Sequence, residues 1–240
     1  MKILALDSSG LVASAAVAED DCLLAEYTVN YKKTHSQTLL PMLEEIRKMI
    51  ELDLKTVDAI AIASGPGSFT GLRIGSATAK GLGLALGRPL VEVPTLEGLA
   101  YNLCGTDRLV CPLMDARRSQ AYTGIYEFIP VGHSWEMKTV TAQCAVDISV
   151  ILEKLNGLGR AVIFLGDGVP VFAEKISEQL KVPYSFAPAN MNRQRAASVA
   201  ALGAVYFAQG RTVTAAEHQP EYLRKSQAER EREQCEGNKE

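Results

Sequence analysis

The chain of 240 residues has 47% apolar and 22% charged residues, which is typical of a soluble globular protein and excludes a collagenous, wholly disordered or disulfide-stabilised miniprotein. Its formal net charge of -3 at pH 7 argues against a broad basic surface that captures nucleic acid unaided. Five scattered cysteines without CxxC spacing, and a short N-terminal apolar run that soon meets Asp7, favour a cytoplasmic protein with free thiols and no membrane segment.

The first hundred residues are predicted to follow the order βββαβα and then βα, because short apolar runs alternate with segments of helical periodicity. The strands are predicted at residues 3–6, 12–18, 23–29, 57–63 and 90–93. The helices are predicted at residues 34–51, 68–86 and 95–103. In the first helix Thr34 and Ser36 are candidate N-caps, and Pro41 is expected to kink the helix or delay its start because it lacks an amide proton.

The second half of the chain repeats this order. Its strands are predicted at residues 109–114, 121–127, 134–140, 161–165 and 184–186. Its helices are predicted at residues 146–155 and 169–180, with a final helix rich in small residues at 196–208. A repeated βββαβα unit is typical of the α/β architecture in which two actin-like (ASKHA, ribonuclease H-like) domains face each other across a cleft.

This repeat divides the chain into two predicted domains and a tail. The N-terminal actin-like domain comprises residues 1–103 and a returning helix at about 193–210, and the smaller second domain comprises residues 104–192. Residues 217–240 are mostly Glu, Arg, Lys and Gln, and such a composition cannot bury enough apolar surface to offset the entropy of ordering. We therefore expect a charged, disordered tail.

The most informative segment of the sequence is the strand and helix at residues 57–85, because small residues recur every four positions in the helix and therefore line one ridge. These residues are Gly71, Gly75, Ala79 and Gly83. Each glycine costs about 1 kcal/mol of helix propensity relative to alanine, so the ridge requires a close backbone contact as compensation. That contact is made either by the protein's own sheet or by a helix of another subunit.

Two turns occupy positions at which this architecture binds a nucleotide. Asp7, Ser8 and Ser9 end the first strand, where a phosphate-binding hairpin would lie, although an ordinary β-turn accounts for the same residues. Gly166 and Gly168 follow a buried strand at the place of an adenosine-contacting turn, and the alternative is a plain strand–helix connection.

Two further segments could hold an anion. The segment Asp115-Ala116-Arg117-Arg118 takes the hairpin position in the second half, where its arginines either bind an anion or form solvated surface. The segment Gly65-Pro66-Gly67 and the helix N-terminus after it would form an anion nest, although the spacing is not that of a P-loop.

The sequence lacks the common catalytic and metal-binding motifs. Its three histidines, His35, His133 and His218, form neither an HxxxH pair nor an H-E-x-x-H motif. There is also no Cys-rich ligand set and no GxSxG nucleophile elbow. We therefore predict no catalytic residue and no metal site.

Six segments, which cover nearly the whole chain in order, carry a resemblance to a known family. The longest is ASGPGSFTGLRIG at residues 63–75. The others are residues 1–9, Thr34-His35-Ser36 with Leu39-Leu40-Pro41, Asp115-Ala116-Arg117-Arg118, Gly166-Asp167-Gly168 and Pro220-Glu221-Tyr222-Leu223-Arg224. In these segments the chain resembles the TsaB (YeaZ) family.

The resemblance implies a two-domain actin-like fold without robust enzymatic activity of its own. TsaB proteins pair with a catalytic paralogue, TsaD, to make N6-threonylcarbamoyladenosine (t6A) next to the tRNA anticodon, and an accessory ATPase, TsaE, joins the complex. TsaD carries a His-x-Glu-Gly-His metal motif, for which this chain has Thr95-Leu96-Glu97-Gly98-Leu99. Because threonine is a weak metal ligand and leucine is none, the comparison implies a related scaffold without the metal ligands.

The pattern and the resemblance together predict a non-catalytic partner subunit that docks through the helices at 34–51 and 68–86, on TsaD or on a second copy as a homodimer. The predicted interface residues are His35, Leu39, Leu43, Ile46, Gly71, Leu72, Arg73, Gly75, Ser76, Ala79 and Gly83. The substitution Gly75→Leu is accordingly expected to abolish complex formation and to leave the monomer folded. Contact with tRNA is expected only through the complex.

The sequence also bears on cofactor use and on two alternative functions. We expect this chain to require no cofactor, with ATP or ADP at the interface with TsaD left open. A glycoprotease-type peptidase is one alternative function, against which the missing metal ligands and nucleophile elbow argue. An ATP-binding kinase-like enzyme is the other, and it is favoured by the fold alone.

Overall fold

The computed structural model describes residues 1–31 and 34–224, and within them the chain forms two five-stranded sheets with helices on their faces. The strands of the first sheet are β1 (Lys2–Asp7), β2 (Ala13–Glu19), β3 (Cys22–Val29), β4 (Ala59–Gly65) and β5 (Leu90–Pro94). The helices of this half are α1 (His35–Met49), α2 (Phe69–Leu86) and α3 (Thr95–Ala100).

The second half has the same kinds of element. Its strands are β6 (Leu109–Asp115), β7 (Gln120–Val131), β8 (Ser134–Asp147), β9 (Val162–Leu165) and β10 (Tyr184–Phe186). Its helices are α4 (Ile148–Leu158) and α5 (Val169–Gln179), and α6 (Ala196–Ala208) follows.

Both sheets have the same strand order, β3-β2-β1-β4-β5 in the first and β8-β7-β6-β9-β10 in the second. In each sheet the first three strands form an antiparallel meander, and the last two run parallel to the first strand. This repeat confirms the predicted α/β fold of two actin-like domains.

Helices cover both faces of the first sheet. On one face Leu4 and Leu6 of β1 pack in the same cluster as Leu39 of α1, and α2 lies beside α1. On the other face Ile3 of β1 packs in a cluster with Val199 of α6, so the returning helix lies on the first sheet. Because β1 is covered on both faces, its residues read as a continuous apolar run.

The second sheet is also covered on both faces, and one of its covers comes from the first half of the chain. The helices α4 and α5 pack on one face through residues such as Leu152 and Phe172. On the other face Leu96 and Leu99 of α3 pack with Met114 of β6. The helix α3 therefore lies between the two sheets and joins the domains through a shared apolar cluster.

The predicted end of β8 is wrong, whereas the first helix begins where its range was predicted to begin. The strand β8 continues to Asp147, beyond the predicted end at residue 140, because it stays paired with β7 up to the Gln120–Asp147 pair. The helix α1 begins at His35 and contains Pro41, so the late start does not occur. The N-cap residue Thr34 makes no side-chain capping bond, and burial of residues such as Leu39 holds the helix instead.

The cysteines that the structure describes form no disulfide, as predicted from their spacing. Cys22, Cys104, Cys111 and Cys144 are free, and Cys235 lies outside the described residues. Among the helices of residues 1–31 and 34–224, we find none with the length and apolar character needed to cross a bilayer.

Candidate functional site

A cleft of about 460 Å³ lies between the two domains, and its lining brings together several of the predicted site residues. The first domain contributes Ser9 from the turn after β1 and Ser68 before α2, and the second contributes Asp115 and Asp167. Tyr222, near the end of the described chain, also lines the cleft. The turns that follow β1 and β6 therefore face one cavity, as the repeated fold requires.

The carboxyl group of Asp7 organises the turn after β1. Its Oδ1 atom accepts hydrogen bonds from the Ser9 backbone N–H at 2.9 Å and from the Ser9 hydroxyl at 2.7 Å. Asp7 is buried, and burial raises the pKa of its carboxyl from 3.8 to about 6. The Ser9 amide and hydroxyl, which a phosphate would need as donors, are thus already used by Asp7.

The start of α2 packs directly against the same turn. The Ser68 N–H donates to the Ser9 carbonyl oxygen at 2.7 Å, and the Ser8 hydroxyl donates to the Gly71 carbonyl oxygen at 2.9 Å. A Cβ atom at Gly67 would lie 2.2 Å from the Ser9 carbonyl oxygen. The glycine-rich segment therefore lets two backbones approach, and the geometry does not support the anion nest or a phosphate at Ser8 and Ser9.

The small-residue ridge of α2 faces the protein's own interior, which corrects the predicted docking ridge. A Cβ atom at Gly71 would lie 2.1 Å from the Ser8 carbonyl oxygen, and one at Gly75 would lie 2.4 Å from the Ser8 Oγ atom. At Gly83 the nearest atom would be the Leu90 Cδ2 atom, at 3.0 Å, and Ala79 is fully buried. The ridge is matched to β4, β5 and the β1 turn, so Gly75→Leu would disrupt the fold itself.

Most of the other predicted interface residues are also internal. Leu39, Leu43 and Ile46 belong to the core cluster under α1, and they pack there against the apolar side chains of the first sheet. The remaining buried members of the set are His35, Leu72 and Ser76. The prediction that they form a docking face is therefore wrong, because they already stabilise the first domain.

Two residues of the predicted interface set make specific side-chain contacts, one with the turn after β1 and one at the start of α2. The Nε2 atom of His35 donates to the Gly10 carbonyl oxygen at 2.8 Å, so His35 supports the turn after β1. Arg73 is the one member of the set that is exposed, and its guanidinium lies 3.9 Å from the ring centroid of Phe69. Cation–π contact of this kind orients Arg73 along the start of α2.

The two glycines predicted to contact adenosine pack against β6. The Gly168 N–H donates to the Leu113 carbonyl oxygen at 2.9 Å, and a Cβ atom at Gly166 would lie 2.1 Å from the same oxygen. Gly166 also has a φ of +108°, a conformation that residues with a side chain rarely adopt. Close strand–turn packing therefore explains both glycines without a nucleotide.

The residues that replace the TsaD-type metal motif have structural partners. The Thr95 hydroxyl accepts a hydrogen bond from the Gly65 N–H at 3.1 Å, and Leu99 is buried in the cluster between the sheets. Glu97 accepts a hydrogen bond from the Tyr206 hydroxyl, and burial raises the pKa of Glu97. Among the described residues, no group of three or more His, Cys, Asp or Glu side chains could share a metal ion.

Residues 214–224, which we call the C-terminal strap, are ordered and belong to the site. The His218 Nδ1 atom lies 2.6 Å from Glu92 Oε1 on β5, and Lys80 of α2 donates to the His218 carbonyl oxygen at 2.9 Å. The predicted disorder from residue 217 is therefore wrong up to residue 224, since these groups anchor the strap to the first domain. Residues 225–240 lie outside the described residues.

The end of the strap crosses the mouth of the cleft. The Glu221 N–H donates to the Ser64 carbonyl oxygen at 2.7 Å, while the Glu221 carboxylate accepts from Gln143 of β8 at 2.6 Å. Arg224 donates to the Ala116 carbonyl oxygen at 2.5 Å. The strap thus bonds to both domains, and the only sequence signal for it was the PEYLR segment at 220–224.

The chain is similar to several known proteins over most of its length. A family model described as TsaD, tRNA N6-adenosine threonylcarbamoyltransferase, matches residues 22–232. The tRNA threonylcarbamoyladenosine biosynthesis protein TsaB of Bacillus subtilis is 33% identical over 203 residues, which are 85% of this chain and 87% of that protein. TsaB of Escherichia coli K12 is 28% identical over 95% of this chain and 96% of that protein.

A solved structure shows the same similarity in three dimensions. YeaZ from Pseudomonas aeruginosa superimposes with a TM-score of 0.77 at 27% sequence identity, over 92% of this chain and 99% of that chain. The similarity therefore extends across both sheets.

Proposed function

Because the chain belongs to the TsaB family, we propose that it is a non-catalytic subunit of the bacterial complex that makes t6A in tRNA, and that it acts by binding the transferase TsaD. The observation that carries the proposal is the 33% identity to a TsaB protein over 85% of this chain. The homologue is described as a biosynthesis protein, and the non-catalytic role is our own inference from the site.

The positions of the metal motif support a non-catalytic role. Thr95 bonds the end of β4, and Leu99 fills the apolar cluster between the sheets. Side chains that hold the fold in this way replace the two imidazoles of a His-x-Glu-Gly-His motif. The chain therefore contributes a surface to the reaction and leaves the metal chemistry to its partner.

We assign the docking surface to the outer side of α1 and α2. Ala77, Gly81 and Ala85 are exposed on α2 at intervals of four residues, and Leu84 beside them is 71% exposed. A Cβ atom at Gly81 would have nothing within 4 Å in the described chain, so internal packing does not explain this glycine. A partner helix that approaches closely would compensate its cost of about 1 kcal/mol in helix propensity.

The neighbouring helix adds apolar surface to this side. Leu40 of α1 is 54% exposed, whereas Leu39 and Leu43 on the same helix are buried. The predicted docking helices are therefore kept in the proposal, while the docking residues become the outward-facing ones. When TsaD is absent, the same surface would form a homodimer, because a helix pair that binds TsaD can also bind a second copy of this related chain.

Cofactor use and further partners follow from this role. We propose that the isolated chain needs no cofactor, and that any ATP or ADP binds only at the interface formed with TsaD, where TsaE also joins. Titration calorimetry of the isolated chain with ATP should then give no binding in the micromolar range. We assign the protein to the cytoplasm, where tRNA is modified.

The decisive experiment measures t6A formation by TsaD, TsaE and a threonylcarbamoyl donor with and without this chain. We expect t6A to form only when the chain is present. We also expect the chain to co-purify with TsaD. Formation of t6A at the same rate without the chain would refute the proposal.

A pair of glycine substitutions tests the docking surface. Gly81→Leu should leave the melting temperature unchanged or higher, because the site is open, but it should abolish co-purification with TsaD. The matched control is Gly157→Leu, since Gly157 is an exposed glycine of α4 with equally open space around it. Equal TsaD binding by the two variants would contradict the assignment.

A further inference from the structure

The turn between β6 and β7 has an unusual backbone. Arg117, Arg118 and Ser119 have φ angles of 66°, 56° and 61°, a region that residues with side chains rarely occupy. Three successive left-handed residues persist only where the surroundings enforce them, and such positions cluster at functional sites.

Specific hydrogen bonds enforce this conformation. Asp115 Oδ1 accepts from the Arg117 N–H at 2.8 Å, and the Ala116 N–H donates to the Gln120 carbonyl oxygen at 3.0 Å. Arg224 of the C-terminal strap donates to the Ala116 carbonyl oxygen. The turn is therefore held from within and from the strap, and its shape does not depend on the arginine side chains.

The guanidinium groups of Arg117 and Arg118 are free to bind a ligand. Both residues are exposed, and neither side chain has a hydrogen-bond or ion-pair partner among the described residues. They border a depression of about 350 Å³ together with Ser119 and Lys175 of α5. Two carboxylates line this depression: Asp115 accepts a hydrogen bond from the turn, and Glu174 of α5 is exposed.

The equivalent turn of the first domain offers no such groups. There Ser8 and Ser9 are buried, and the start of α2 is bonded to them. The turn between β6 and β7 thus presents two adjacent guanidinium groups. Each planar guanidinium can bind two phosphate oxygens in a bidentate manner.

We propose that this arginine turn, residues 116–119, binds the phosphate backbone of RNA and gives the subunit its own contact with tRNA. The inference rests on the proposed function, in which tRNA is the substrate of the complex. A chain with a net charge of -3 does not capture RNA unaided, so the turn positions a tRNA that the whole complex holds. It makes specific the expectation that tRNA is contacted only through the complex, because it places one of those contacts on this subunit.

The first test compares two pairs of arginine substitutions in the complex with TsaD. For Arg117→Ala/Arg118→Ala we expect roughly tenfold weaker binding of fluorescent tRNA, and a plot of log affinity against log salt concentration that is shallower by about two. The control, Arg108→Ala/Arg160→Ala, removes two exposed arginines that already have partners, Ser185 and Glu127. It lowers the net charge equally and should leave both quantities unchanged.

A second variant separates a binding role from a structural one. Glycine accepts positive φ without strain, so Arg117→Gly/Arg118→Gly should keep or raise the melting temperature while it weakens tRNA binding as the alanine pair does. A lower melting temperature with unchanged tRNA binding would show a structural turn and overturn the proposal. Loss of TsaD binding by the alanine pair, while the control pair still binds TsaD, would show a protein-binding turn and also overturn it.

The readouts keep the two proposals apart. The t6A yield with and without this chain tests the proposed function, whereas tRNA affinity and its salt dependence test the arginine turn. If the alanine pair matches its control in both RNA measurements while t6A still depends on the chain, the arginine turn is wrong and the proposed function stands.

Discussion

Asp7 is a carboxyl group whose protonation is set by its surroundings. It is buried at the end of β1, and it accepts two hydrogen bonds from Ser9. Desolvation raises its pKa from 3.8 to about 6, because burial disfavours the charged form more than the two bonds favour it. The folded state therefore holds the Asp7 proton more tightly than the unfolded state does.

This shift predicts a pH-dependent effect of Asp7→Asn. Since the native carboxyl has the higher pKa, ionisation lowers the free energy of unfolding as the pH rises from about 4 to about 6. Asparagine keeps the acceptor for Ser9 and cannot ionise, so the variant should gain up to about 3 kcal/mol at pH 7.5 and almost nothing near pH 4. Urea unfolding at several pH values measures this difference, and a constant difference would contradict the explanation.

The helix α2 has small residues on two opposite sides, of which one packs inside the protein and the other is exposed. The inner side, with Gly71 and Gly75, meets the turn after β1 at backbone distance. The outer side, with Ala77 and Gly81, is exposed. The small residues of both sides repeat every four positions. Periodicity therefore predicted a ridge correctly but did not distinguish the ridge that packs on the protein's own sheet from the exposed one.

Alanine substitutions at the two sides should therefore have opposite effects on stability. Gly71→Ala forces a Cβ atom against the Ser8 carbonyl oxygen and should lower the free energy of unfolding by roughly 1–3 kcal/mol or more. Gly81→Ala meets open space and should raise it by about 0.5–1 kcal/mol through helix propensity. Thermal or urea unfolding measures both, and destabilisation of the two variants alike would contradict the packing described for α2.

At the scale of the whole molecule, the C-terminal strap couples the domains. It is bonded to β4 and β5 in the first domain and to β8 and the β6–β7 turn in the second. Tyr222 packs against Phe69 with the ring centroids 4.8 Å apart. The strap thus fixes the separation of the two turns that face the cleft.

Loss of the aromatic contact should expose the end of the strap. In Tyr222→Ala the segment loses its packing on Phe69, so trypsin should cleave after Arg224 several times faster under native conditions. Mass spectrometry of timed digests gives the rate. Tyr31→Ala serves as the control, since Tyr31 is 69% exposed. Equal rates for the two variants would show that the aromatic contact does not hold the strap.

The sequence predicts the strand order of this protein, but it does not predict the C-terminal strap or the backbone of the arginine turn. The strand order could be predicted because buried strands such as β1 and β4 are short apolar runs between turn signals. The strap could not, because residues such as Glu221 and Arg224 are polar and donate to backbone carbonyl oxygens of distant residues, which composition does not reveal. The arginine side chains of residues 117–118 were identified, while the left-handed backbone that presents them was not.

The position of α6 in the chain has a consequence for biosynthesis. The face of the first sheet that carries Ile3 and Val93 is covered by α6, which begins only at residue 196. A nascent chain on the ribosome must therefore carry this apolar face uncovered until residues 196–208 have been synthesised. During that interval the uncovered face is prone to aggregation, and it is the kind of apolar surface that chaperones bind.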